Sequence, residues 1–344
     1  MIKKIKKPKF PSELRLDLIS RDWVIIATGR AKKPNAFKRK RKTQKLSKKD
    51  CPFCKIETQK KPVLIYSNGK KIQIKDKIPK NWTTIVIPNL YPALFPSEFL
   101  EKRTEGGFYQ RISGVGFHEI LVTRDHKKTL AHLTIKEVKE VFDAYQSRYL
   151  SLMKERFVNY ISIFHNHGIM AGASQSHPHS QIITTPLIDA DLRRGLINSK
   201  KYYKKHKKCV YCEMSKWERK TRERIVFENK DFLVICPFAS KSAFQMIISP
   251  KKHSAYFERI TEKEKWSLAE AFKESLIRLS KALGYPAYNF YLHTAPCDGK
   301  NYDYYHWHWT IVPKTGIWAG FEIGTRMEIS TIEPEKAAQY LRKQ

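Results

Sequence analysis

The chain has 344 residues, with 66 Lys and Arg against 33 Asp and Glu, a formal net charge of +33 and 41% hydrophobic residues. That apolar fraction suffices for true cores, so the charge does not signal disorder, and the length predicts two domains at roughly 100–200 residues each. No apolar run approaches the roughly 20 residues of a membrane span, and the basic start has no apolar stretch behind it. A soluble, cytoplasmic protein with no membrane partner is expected. So large a basic excess suggests an anionic partner (nucleic acid, membrane surface or a phosphorylated small molecule) without choosing among them.

In chain order, the first marked feature is a basic run, Lys38-Arg-Lys-Arg-Lys42 with Lys45, Lys48 and Lys49. Lacking interleaved aromatics, it reads as a solvated loop rather than a base-stacking platform. Directly after it comes a CxxC pair, Cys51-Pro-Phe-Cys54. A histidine follows in a basic stretch, Asp125-His126-Lys127-Lys128, and then Thr134 with Glu137 forms a capping box that opens a helix of about five or six turns. A β-rich segment over residues 159–164 leads to His177-Pro178-His179, with a second strand behind it.

The same order then recurs. Residues 199–208 form a basic connector, read as a second solvated loop, although Tyr202 and Tyr203 give it aromatics. Next come Cys209-Val-Tyr-Cys212, His253 behind two lysines, and a capping box of Thr261 with Glu264. A β-rich segment at 288–292 and His306-Trp307-His308 before another strand complete the second copy. One unit is used twice. The two remaining cysteines, Cys236 and Cys297, have no second cysteine nearby and read as a buried residue and a loop residue.

In a cytosolic protein a CxxC pair more often holds zinc than a disulfide. Two thiolates and two imidazoles complete a tetrahedral site, and four protein ligands leave no position for water, so such sites are structural. The first set is Cys51, Cys54, His126 and His177; the second is Cys209, Cys212, His253 and His306. His118 and His132 compete with His126, and His308 with His306, because spacing alone does not say which imidazole faces the metal.

In an extended chain His177 and His179 share a face. With His177 clamped by a metal, the backbone of His179 is held nearly rigid, which preorganises a reactive imidazole. Neutral imidazole is a nucleophile toward phosphorus, and the phosphoramidate it forms passes the phosphoryl group on. Gln181, on the same face, is placed to donate to a non-bridging oxygen as charge grows there. The second His-x-His has Thr310 in the corresponding place, so no second catalytic centre is expected.

The HPHxQ motif, the CxxC pair ahead of it and the duplicated layout resemble the galactose-1-phosphate uridylyltransferase family of the histidine-triad superfamily, over nearly the whole chain. Trp23-Val-Ile-Ile-Ala27 with Arg30 and Lys33 is similar to the family's nucleotide-contacting segment. Asn89 and Tyr91 match its element beside base and ribose, and Asn166, Gly172 and Ser174 match the loop that approaches the phosphates. The tail, with Phe321, Glu322 and the stretch from Glu335, resembles its hexose-contacting segment. The resemblance implies that His179 takes up the nucleotide, that Gln181 steadies the α-phosphate and that Glu322 binds sugar hydroxyls. Three departures stand out: Lys33 where a second arginine is common, Ser180 in place of glycine, and Phe321 without the tyrosine hydroxyl of galactose-specific members.

The expected architecture is α+β, built from two histidine-triad-like (HIT-like) units, each an antiparallel sheet with a long helix packed on it. Residues 1–196 would carry the nucleophile, and residues 197–344 the second metal site and the hexose-contacting tail. The expected activity is transfer of UMP from UDP-glucose to a hexose 1-phosphate, galactose 1-phosphate first, through a nucleotidyl-histidine. Two structural zinc sites are expected, the second open to iron, and the resemblance implies a homodimer. An alternative on the same fold is a phosphorylase of ADP-glucose or dinucleoside polyphosphates. A zinc-ribbon nucleic-acid binder would explain the cysteines and basic runs but not Gln181, Asn89 or Glu322. The anionic partner therefore narrows to a small phosphorylated molecule, and the remaining charge reads as surface composition.

Overall fold

A computed structural model of the chain describes residues 12–28, 47–74 and 77–344. It opens with an antiparallel pair, β1 (Glu13–Leu16) and β2 (Trp23–Ile26). The first unit follows: β3 (Leu64–Ser67), β4 (Lys70–Ile72), β5 (Thr84–Pro88), an exposed hairpin of β6 (Lys102–Glu105) and β7 (Tyr109–Ile112), and β8 (His118–Thr123). Helix α1 (Ile135–Leu152), β9 (Tyr160–His167) and β10 (His179–Thr185) complete it. Two helices, α2 (Ala190–His206) and α3 (Val210–Thr221), lead into the second unit. That unit holds β11 (Ile225–Glu228), β12 (Phe232–Ile235), β13 (Met246–Pro250), α4 (Glu262–Leu283), β14 (Tyr288–His293) and β15 (His308–Pro313). The tail is α5 (Gly320–Thr325), β16 (Ile329–Ser330) and α6 (Pro334–Arg342).

Among the described residues eleven strands form one sheet in the order β11-β12-β13-β15-β14-β9-β10-β8-β5-β3-β4, and each of these pairings is antiparallel. The α+β fold of two like units is present, but the two sheets are fused into one. The junction is β9 against β14, with Asn166 opposite Asn289 and His165 opposite Phe290. Each unit would otherwise expose the edge of an apolar strand, and pairing the two edges removes both.

The long helices lie on one face of this sheet. In α1 the Thr134 hydroxyl accepts from the Glu137 amide while the Glu137 carboxylate accepts from the Thr134 amide, and Thr261 with Glu264 repeats this for α4. Val138, Val141, Phe142, Tyr145, Tyr149 and Leu152 recur every three or four residues and are buried, as are Leu268, Phe272, Leu276, Leu279 and Leu283. Phe142 and Phe272 meet edge-on at 5.2 Å between centroids, and Trp309 of β15 packs against both. Truncating Phe272 to alanine at this junction costs about 3–5 kcal/mol.

The basic connector is not a loop. Its residues to His206 are the second half of α2, capped by the Asp189 carboxylate and burying Leu192, Gly195, Leu196 and Ser199 along one stripe. Lysine is a good helix former, and the basic end complements the helix dipole, so charge there is compatible with helix. β16 pairs in parallel with β2, and the small β1-β2-β16 sheet is held to the second unit by Lys241–Asp22 (2.6 Å) and to α6 by Arg15–Glu335 (2.9 Å). Among the described residues no helix is long and apolar enough to cross a membrane.

Candidate active site

Along β10, Ser180, Ile182 and Thr184 turn toward the helices, where the Ser180 hydroxyl lies 2.6 Å from Tyr145 Oη and 3.0 Å from His165 Nδ1. His179 and Gln181 therefore face the other way. Because Ser180 stands opposite His165, Asn166 of β9 falls beside His179, and Asn289 of β14 falls beside Asn166. His118 at the start of β8 shares this face, diagonal to Gln181. Four strands thus set a row of polar side chains on the face opposite α1 and α4.

One end of that row is fixed by the first Cys/His group. Cys51 Sγ lies 3.4 Å from His177 Nδ1, and Cys54 Sγ lies 3.6 Å from His177 Nδ1 and 3.3 Å from His126 Nδ1. An ion held tetrahedrally at ordinary Zn–S and Zn–N lengths sets S···N edges of about 3.6 Å, so the spacing fits. His177 Nε2 donates to the Thr123 carbonyl at 2.7 Å, which leaves Nδ1 unprotonated toward the sulfurs. Burial pushes the His177 ring down to about 4, so it is a neutral ligand at neutral pH.

The second group is built alike. Cys212 Sγ lies 3.4 Å from His253 Nδ1 and 3.5 Å from His306 Nδ1, and the Nε2 atoms of the two rings donate to the carbonyls of Asp303 and Pro250. Cys209 completes the set. Thiolate and imidazole donors suit zinc or iron. Of the rival histidines, His132 contacts the Thr129 hydroxyl and stacks on Tyr285, His308 stacks on His293, and His118 belongs to the polar row.

His179 is buried, with its ring 5.0 Å from that of Phe53. Its Nδ1 lies 2.9 Å from the His177 carbonyl. A carbonyl only accepts, so Nδ1 carries the proton and Nε2 keeps its lone pair. Burial lowers the pKa of the ring, against a smaller rise from that hydrogen bond, which keeps the imidazole neutral. The result is an unprotonated nitrogen on a backbone two residues from a histidine of the first Cys/His group.

Gln181 Oε1 accepts from His118 Nε2 at 2.9 Å, and Asn166 Oδ1 accepts from Asn289 Nδ2 at 2.7 Å. Among the described residues no hydrogen bond engages the nitrogen of either carboxamide. Asn89 bridges by its carboxamide from the Tyr91 amide (3.0 Å) to the His118 ring, and the Tyr91 side chain is 88% exposed. Gly172, at φ 82°, ends the turn Ile169–Ala171 in a left-handed conformation and has open space at its missing Cβ, while Ser174 is exposed. Arg30 and Lys33 lie outside the described residues. The structure does not bring the tail residues to this row by any hydrogen bond among the described residues. Glu322 accepts from the Ala319 amide of its own helix, Phe321 is exposed, and Glu335 binds Arg15 and Arg224. Sequence reasoning missed His118 as the partner of Gln181, and Asn289 altogether.

The family profile described as galactose-1-phosphate uridyl transferase, N-terminal domain, matches residues 4–188, and its C-terminal counterpart matches residues 196–342. The chain belongs to the galactose-1-phosphate uridylyltransferase family. Among the relatives in this family, an ADP-glucose phosphorylase of Arabidopsis thaliana is 32% identical over 336 residues, covering 96% of this chain and 92% of its own length. The galactose-1-phosphate uridylyltransferase of Thermotoga maritima is 27% identical over 341 residues, covering 96% of this chain and 98% of its own. A crystal structure of the Arabidopsis enzyme with bound ADP-glucose superposes with a TM-score of 0.79 at 29% identity, covering 97% of this chain and 99% of that one. A uridylyltransferase structure gives 0.73 at 25% identity, with 96% and 97% covered.

Proposed function

We propose that this protein transfers a nucleoside monophosphate between phosphate oxygens through a covalent adduct on His179. The reading rests on the His179 tautomer: Nδ1–H is held by the His177 carbonyl, and Nε2 stands unprotonated beside two amides that can donate. The Nε2 lone pair forms a bond to the α-phosphorus as the bond from that phosphorus to the bridging oxygen breaks. Hexose 1-phosphate leaves with the electron pair. The imidazole is then cationic, and the His177 carbonyl stabilises it through the retained Nδ1 proton. Gln181 and Asn166 donate to the non-bridging oxygens, a contribution of about 10²–10³ in rate for a single such donor. In the second half-reaction a phosphate oxygen of the acceptor bonds to phosphorus and the N–P pair returns to Nε2.

Cys51, Cys54, His126 and His177 would hold structural zinc, and Cys209, Cys212, His253 and His306 a second zinc or an iron. A bound ion there neutralises the thiolates. This chain's own contribution is to hand the fixed position of His177 on to the His179 backbone. Phosphate and base contacts are assigned to Arg30, Lys33, Asn89, Tyr91, Gly172 and Ser174 by likeness to the family, and hexose contacts to Phe321 and Glu322. Exposed Tyr91, Phe95, Phe99 and Phe108 between β5 and β7, with Trp318 and Phe321 in the tail, support a homodimer.

For the donor we place ADP-glucose first, with inorganic phosphate as acceptor, because the relative at 32% identity carries that activity in its name and Phe321 lacks a tyrosine hydroxyl. The uridylyl reading, UDP-glucose with galactose 1-phosphate, has the family profiles and the Thermotoga relative behind it. A panel of both donors against both acceptors tests this. Phosphate-dependent release of ADP and glucose 1-phosphate is expected. Faster exchange of UDP-glucose with galactose 1-phosphate would replace it with the uridylyl reading, and inactivity of all four pairs would remove the transferase reading.

A further inference from the structure

Both carboxamides beside His179 are turned the same way, and each is turned by a side chain whose own orientation is set by backbone. The Ala93 amide donates to His118 Nδ1 at 3.1 Å. Asn89 Nδ2 also lies against that ring, 3.3 Å from Nδ1 and 3.1 Å from Nε2, while the Tyr91 amide holds Asn89 Oδ1. With a backbone donor on it, Nδ1 is the unprotonated nitrogen, so Nε2 carries the hydrogen and must meet an acceptor, the oxygen of Gln181. Across the junction of the two units, Asn289 Nδ2 donates to the Ala171 carbonyl at 2.8 Å. That fixes Asn289, and the atom of Asn166 it meets 2.7 Å away is the oxygen.

We propose that His118 and Asn289 are positioning residues that lock Gln181 and Asn166 with their NH₂ groups toward the α-phosphoryl oxygens. The inference rests on the nucleotidyl-transfer reading. A carboxamide has an acceptor end and a donor end of nearly the same shape, and turned the wrong way it sets oxygen against oxyanion. His118 and Asn289 remove that choice before the ligand arrives, so no reorientation is needed as charge develops. Asn289 also gives the second unit a part in the chemistry of the first, because it reaches Asn166 only through the β9–β14 pairing.

The test uses the full chain with ADP-glucose and UDP-glucose labelled in the α-phosphate, and reads both the rate of label transfer to the protein and KM for the donor. His118→Phe keeps a ring but has no hydrogen to give. Its transfer rate is expected to fall about tenfold with KM changed less than threefold, a fraction of the loss on deleting a donor outright. His118→Gln, which can donate again, is expected to recover most of the rate. In a Gln181→Ala background the His118→Phe effect is expected to shrink below twofold. Asn289→Asp, nearly isosteric, turns the Asn166 nitrogen inward and its oxygen to the phosphate, and is expected to cost about tenfold or more. An unchanged rate in His118→Phe or in Asn289→Asp, or a full tenfold loss persisting in the Gln181→Ala background, overturns the proposal. If His118→Phe does not fold, Asn289→Asp against His118→Gln decides, with loss in the first and retention in the second expected. Absence of label on the unmodified chain would instead overturn the transfer reading itself.

Discussion

The two units carry the same reactive-looking device. His179 and His308 are each two residues beyond a buried histidine of a Cys/His group, each donate Nδ1–H to its carbonyl, at 2.9 and 3.2 Å, and each are 7% exposed. Even the flanking ring is duplicated, Phe53 against His179 and Tyr211 against His308. What differs is the polar row. Strand register puts His293 in the second unit where Asn166 sits in the first, Thr310 in place of Gln181, and Gln245 in place of His118. His293 stacks on His308 at 4.6 Å, and burial holds both rings neutral. A clamped, correctly protonated histidine is therefore common to both units, and the donors that would meet an oxyanion belong to one. The scaffold is common to both units, and they part at three neighbouring positions on which the proposed chemistry depends.

Breaking the comparison starts with the histidines. His179→Ala is expected to lower kcat by about 10⁴-fold or more, the loss of a covalent nucleophile, whereas His308→Ala leaves steady-state turnover within about threefold. Next, Gln181→Ala is expected to cost about 10²–10³ in kcat and Thr310→Ala little, measured in the same assay.

The metal groups should part as well. Cys51 and Cys209 are buried alike, as are His177 and His306, but His126 is buried while its counterpart His253 is exposed, with a cavity of about 600 Å³ beside it and Cys212. Graded chelation, followed by metal analysis and activity together, should remove one equivalent first with most turnover retained, and stop turnover as the second leaves. The smallest effect belongs to the tail. Glu335 ties Arg15 to Arg224, and both arginine side chains are nearly buried at 9% and 7% exposed. The two arginines outweigh the burial and hold the Glu335 carboxyl below its ordinary range. It therefore adds stability above the unfolded carboxyl pKa of about 4.3, lost as pH falls through the lower folded value. Glu335→Gln should lower stability by about 1–3 kcal/mol at pH 7, seen in denaturant midpoints, with the gap to the unmodified chain closing toward pH 3.

Much of this was legible beforehand, for physical reasons. Capping boxes and CxxC pairs are local in sequence, so α1, α4 and the cysteines of both groups could be read from residue order, whereas only the fold sets His126 above His118 and His132, and His306 above His308. The connector was misread because its lysines suggest solvent, while the Leu192–Leu196–Ser199 stripe that makes it a helix is sparse. Fusion of the sheets depends on which strands are left with open edges, which no local pattern records. The same limit hid Asn289, whose only distinction is to face Asn166 across that junction. His118 was visible as a histidine with several possible partners; only the fold shows that its partner is Gln181.

Of the two matching histidines, only His179 is proposed to carry the nucleotide. Incubating the full chain with ADP-glucose or UDP-glucose, digesting it above neutral pH and mapping the added nucleotide mass by mass spectrometry tests this directly. One AMP or UMP per chain is expected on the peptide containing His179 and none on the peptide containing His308. Label on His308, or turnover of either donor with His179 unmodified throughout, would contradict it.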